Sequence, residues 1–162
     1  MIDQVAVYFG GERAESLLFI LIALVAIEVA VTCWRKSGTP VAKGAAVMLV
    51  LVAVVQLGVG GTVFLRSPHD QQRVAAAVAT DRAQIRTNEV PRMQRVMRDF
   101  AVYRWVEIAL LILATMMALI DRRSTWVRGA GLGLLPQAAV MLVLDGLAEH
   151  RGAAYLVWLL TL

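Results

Sequence analysis

A single cysteine, Cys33, leaves the chain no intramolecular disulfide and no cysteine-cluster metal site. Cys33 itself reads as a small apolar residue near a helix end. The only histidines are His69 and His150, far apart in the chain, which argues against a bis-histidine haem. A carboxylate-bridged di-metal bundle needs Glu-x-x-His on each of two helices. Here Glu149 and His150 are adjacent and would diverge by about 100° around a helix. There is no glycine-rich phosphate loop either. The glycines of "QLGVGGT" fall inside an apolar run, where small residues let helices approach closely, and Ala23, Ala26 and Ala30 do the same in another run. No metal and no cofactor is expected, and no recognised catalytic set is present.

What the sequence has in excess is apolar surface. Hydrophobic residues make up 59% of it, against about 45–50% in a soluble domain. They are gathered into runs instead of one-faced stripes. About 20 consecutive apolar residues cross a bilayer as a helix, and Ser16–Trp34, Val41–Leu65, Ala101–Ile120 and Gly129–Ala148 all qualify. The fold class expected is an all-α integral membrane protein, a bundle of four transmembrane helices. The first run outlasts a signal-peptide core, follows no basic stretch and precedes no small-residue cleavage pattern, so it is expected in the mature protein.

Two short turns, Trp34–Pro40 and Asp121–Arg128, lie on one side of this bundle and concentrate Arg35, Lys36, Lys43, Arg122, Arg123 and Arg128. The density of basic residues in short loops places that side in the cytoplasm. Both termini and the long segment 66–100 then lie outside. Lys36 and Lys43 are the only lysines beside many arginines, which fits a GC-rich bacterial genome and an inner membrane. With this placement no nucleic-acid partner is expected.

The connector, "RSPHDQQRVAAAVATDRAQIRTNEVPRMQRVMRDF", is rich in good helix formers. Ser67, Pro68 and Asp70 predict an N-cap, a first-turn proline and an acid at a helix start. Val74, Val78 and Ile85 recur at helical spacing. Asn88 is expected to cap a second helix at Pro91, with Val90 pushed out of helical geometry by the proline after it. Met93, Val96, Met97 and Phe100 form that helix's apolar face. The connector is thus predicted to be a helical hairpin extension between helices two and three. Its apolar stripe would pack arm on arm and on the bundle, or dock a membrane-protein partner or a second copy. Arg82, Arg86, Arg92, Arg95 and Arg98 would form a solvated face or touch anionic headgroups. Residues 150–162 read as an apolar C-terminal tail.

Polar residues inside spans usually face the bundle interior and mark sites or clamps. Here they are Glu28, Gln56, Glu107, Gln137 and Asp145. Counting 1.5 Å per residue puts Glu107 and Asp145 at similar depth, near the end where the termini lie. Two carboxylates at one depth need a cation or a shared proton between them. Arg104, three residues before Glu107 and on the same face, is the expected partner. The candidate cluster is Gln56, Arg104, Glu107, Asp145, Glu149 and His150. Glu28 stands apart as a second intramembrane acid, nearer the basic turns, within reach of water or Lys43.

Two functions fit. One is a non-enzymatic accessory, assembly or sensing subunit whose polar cluster only fixes helix pairing. The other is an enzyme or carrier that handles a small ligand or lipophile at that cluster.

Overall fold

A computed structural model describes residues 2–80, 82–119 and 125–162, with Ile2, Asp3 and Arg82 described by backbone alone. The chain forms α1 (Ile2–Lys36), α2 (Pro40–Thr80), a short α3 (Arg82–Gln84), a π turn (Ile85–Glu89), α4 (Val90–Leu119) and α5 (Thr125–Leu160). No strand occurs among the described residues. Four of these helices are long and apolar enough to cross a membrane. Of the expected turn over Asp121–Arg128, residues 121–124 lie outside the described residues, and Thr125 to Arg128 already belong to α5.

Composition accounts for the helices, and local chemistry for their ends. Gly38 takes a positive φ of 60° after α1, a conformation that suits glycine. The Ala42 amide then donates to the Thr39 hydroxyl at 3.3 Å, which caps α2 and leaves Pro40 at the first-turn position expected of it.

The helices run well past the apolar stretches. Lengths of 35, 41, 30 and 36 residues amount to about 45–62 Å at 1.5 Å per residue. A hydrocarbon core is only about 30 Å thick. Each helix therefore has an apolar stretch and an extension beyond it, and the extensions gather at the end that carries both termini.

There, several sequence expectations are corrected. The connector is helical, but it does not stand out alone. Its arms prolong α2 and lead into α4, and they pack with the start of α1 and the end of α5. Val5, Tyr8 and Phe9 of α1 share one core with Val74, Val78, Ile85, Val90, Met93, Tyr155 and Leu159. The segment 150–162 is accordingly the end of α5 and part of that core, not a tail. Ser67 does not cap a helix, because α2 passes straight through Pro68. Its buried hydroxyl donates instead to the Phe9 carbonyl at 3.1 Å, clipping α2 to α1. The break expected at Thr87–Pro91 is a π turn, closed by a Val90 amide bond to the Ile85 carbonyl. Val90 itself is helical, with φ −60° and ψ −50°. A proline clashes with the carbonyl four residues before it, and the wider π turn relieves that clash without interrupting the helix. Asn88 is an exposed residue of this turn, not a cap.

The apolar half packs on small residues. Ala23, Ala26 and Ala30 of α1 lie against Ala46, Leu49 and Ala53 of α2. At the far end α2 and α5 touch backbone to backbone. A Cβ at Gly129 would collide with the main chain of Val41, and one at Gly133 with that of Ala45. Of the glycines in "QLGVGGT", Gly60 meets α1, while Gly58 and Gly61 face open space.

The order of neighbours matters for function. α2 packs on α1 and α5, and α4 packs on α5, but among the described residues α4 comes into backbone contact with neither α1 nor α2. A cleft separates them.

Candidate functional site

The cleft holds a cavity of about 500 Å³. Its walls come from four helices. Phe19, Val55, Val59, Val63, Val106 and Leu110 make its apolar part, and Glu12, Glu15, Arg66, Asp99, Asp145 and Arg151 stand around its polar part. It straddles the level where the apolar stretches give way to the extensions. One end is thus lined like a lipid-facing surface and the other like a water-facing one.

Glu107 lies in this wall, on α4, about 9 Å beyond Ala101 at 1.5 Å per residue. It is 3% exposed, and neither carboxylate oxygen has a hydrogen-bond donor within reach other than the carboxyl of Asp145. The ionisable group that acts on it is Asp145, on α5, also an acid. A buried polar group without a partner is costly, and two facing carboxylates coexist only around a proton or a cation.

The expected pairing of Arg104 with Glu107 is replaced by another. Arg104 reaches across to Glu149, with its Nη1 at 2.9 Å from both carboxylate oxygens. This pair is on the surface and outside the cavity. Gln56 lines the cavity, is 1% exposed, and donates to Gln137 Oε1 at 3.2 Å, tying α2 to α5 below Glu107. His150 is exposed and does not line the cavity. Of the six residues in the sequence cluster, the structure therefore brings Gln56, Glu107 and Asp145 to one cavity. It places Arg104, Glu149 and His150 beside it.

Glu28 is exposed on the outer face of α1, and among the described residues it has no ion pair. Lys43 does not reach it. The Lys43 ammonium sits 5.8 Å from the Trp34 ring centroid.

Sequence reasoning missed the opposite wall. Arg151 donates to Glu15 through both terminal nitrogens, Nη1 to Oε1 and Nη2 to Oε2, the second at 2.6 Å. Gly11 makes this possible, since a Cβ there would meet the Arg151 side chain 2.7 Å away. Arg66 bridges Glu12 at 3.7 Å and Asp70 at 3.3 Å. The signal for this wall was present in the sequence. Glu12 and Glu15 immediately precede the first apolar run and Arg66 immediately follows the second, so the same counting of depth places them at one level.

Above the cavity a second buried charge pair is complete. Glu89, 4% exposed, accepts from Arg92 at 2.9 and 2.6 Å and from the Tyr155 hydroxyl at 3.5 Å. Glu89 and Arg92 stand three residues apart on one continuous helical segment, and the Tyr155 hydroxyl ties the pair to α5, whereas Glu107 below it meets only another acid. No group of three metal-ligating side chains converges among the described residues.

Fold and site together define an all-helical bundle with four helices able to span a membrane and an amphipathic cavity where they leave their apolar zone. Comparison of the chain with protein-family models, curated proteins and solved structures finds no match.

Proposed function

We propose that this chain is a multi-pass protein of a bacterial inner membrane that holds a small amphipathic molecule in the cleft between α4 and the α1–α2 pair. The observation that carries the reading is Glu107: buried, met only by another acid, and set in the wall of a cavity with a greasy end and a polar end. A binding site is typically mostly apolar with a few placed polar groups, and an intramembrane ionisable residue marks a site by default. A helix clamp, by contrast, would use its charges on each other, as Glu15 of α1 and Arg151 of α5 do.

The membrane placement rests on surface chemistry. Among the described residues, the exposed large hydrophobics other than Val7, Trp126, Val157 and Leu160 fall inside the four apolar stretches. Water does not tolerate so extensive an apolar belt. The basic turn after α1 faces the cytoplasm in this reading, and the termini and connector face outward. With Cys33 replaced by serine, a cysteine at Gly38 should be labelled from the cytoplasmic side only and one at Gln84 from the outer side only.

Binding itself is tested by native mass spectrometry of the protein released from lipid nanodiscs. Wild type should retain a bound molecule, and Leu110→Trp, which fills the apolar end, should lose it while keeping its helical signal. Full occupancy in the tryptophan variant would overturn the proposal.

The accessory-subunit reading is second, and the outer face of the connector favours it. Arg86, Arg95 and Arg98 are exposed there, with no ion pair among the described residues. They suit an acidic partner surface or anionic headgroups. Replacing all three with glutamine should release a copurifying partner if that reading is right.

A further inference from the structure

We infer that the head of the bound molecule is an organic cation, a protonated or quaternary amine. This rests on the cavity reading above and adds the charge of its occupant. Five carboxylates stand around the cavity, from Glu12, Glu15, Asp99, Glu107 and Asp145, against the two guanidinium groups of Arg66 and Arg151. Both arginines are already engaged. Arg151 holds Glu15 with two bonds, and Arg66 is shared between Glu12 and Asp70.

That leaves Asp99, Glu107 and Asp145 facing the cavity with no basic partner among the described residues. An anionic head would meet these acids with no free cation to receive it. With a neutral head, Glu107 and Asp145 would have to share a proton. A cation takes the place of that proton, because it supplies the charge that two facing carboxylates otherwise lack.

The walls then separate an organic cation from a metal ion. The acids are spread around the cavity, and no three metal-ligating side chains converge. A cavity of about 500 Å³ is far larger than an ion needs. Phe19, Phe100 and Tyr103 also line it, and aromatic rings attract ammonium groups through their negative faces. The apolar end, with Val59, Val63 and Leu110, suits an alkyl or ring body attached to that head.

The test compares three probes with the same decyl chain and different heads: decyltrimethylammonium, decanol and decanoate. Each is titrated calorimetrically into protein in nanodiscs of zwitterionic lipid, with empty nanodiscs subtracted. The ammonium should bind at least about tenfold more tightly than the alcohol, the scale of one charge-assisted contact. Glu107→Gln should remove most of that advantage, so that the ammonium and the alcohol bind with similar affinity. Asp145→Asn does the same duty if the first variant melts early. If the variants do not fold, the order of the three probes on wild type decides alone. Equal binding of ammonium and alcohol, or tightest binding of decanoate, would overturn the cation while leaving the cavity reading in place. No binding of any probe would remove both.

Discussion

At the polar end of the bundle, Tyr8 stacks on Tyr155 with ring centroids 4.1 Å apart, and Phe9 and Trp158 pack around them. At the opposite end, helices touch through Gly129, Gly133 and a seam of alanines. With the membrane placement proposed above, the contrast follows from the solvent. In water, large side chains gain by leaving it, roughly 25 cal/mol per Å² buried, so a core of aromatics and branched residues pays. In lipid that gain is absent, and close backbone approach through small residues takes over. The cavity sits where one regime changes to the other. There α4 packs on α5 and makes no backbone contact with α1 or α2 among the described residues.

Four variants should break or sharpen this contrast, read as thermal or denaturant unfolding in a mild detergent. The largest effect is expected from Arg92→Ala, which strands the buried Glu89 carboxylate at the polar end. Removal of one partner from a buried pair costs about 3–5 kcal/mol. Replacing the pair together, as Glu89→Leu with Arg92→Met, should recover much of that loss. A double variant as unstable as the single one would mean that the pair contributes more than mutual compensation.

Gly129→Leu should follow, at about 1–3 kcal/mol for overpacking. The new side chain has no room against the Val41 backbone, so α2 and α5 must separate. The same change at Gly58, which faces open space, should be almost silent, and equal effects at the two sites would contradict the packing described.

Arg104→Ala comes third. The Arg104–Glu149 pair has side chains 47% and 24% exposed, and pairs of this kind contribute about 0–1 kcal/mol. The loss should shrink in high salt, and ligand binding in the cavity should be unaffected. Glu28→Gln is expected to have the smallest effect, within about 0.5 kcal/mol, as for a surface position with no partner. Because Glu28 and Glu107 are both acids within apolar stretches, a probe-binding defect in Glu28→Gln like that of Glu107→Gln would show that the cavity is not the site.

Part of this site was legible and part was not. Gln56, Glu107 and Asp145 stood out as polar letters in apolar runs, and their depth followed from counting residues. The partner of Glu107 did not follow. Arg104 is on the same face of α4 by spacing, yet the α5 residue Glu149 lies closer to its long side chain than the buried Glu107 does. Ser67 shows the same limit. With Pro68 and Asp70 it has the local grammar of a helix start, but the neighbouring α1 offers the Phe9 carbonyl, and α2 continues.

The sequence alone determined the four helices, their apolar lengths, the glycine turn and proline start between α1 and α2, and the end of the bundle at which the acids gather. These depend on composition and on rise per residue, which is linear along the chain. Only the tertiary structure decided that the connector arms join both termini in one core, that Arg104 turns to Glu149, and that Gln56, Glu107 and Asp145 line one cavity with Glu15 and Arg151. Those outcomes depend on how each helix is rotated about its axis and on which helix stands next to which. Rotation and neighbour order are fixed by packing among distant segments, and no local run of residues encodes them.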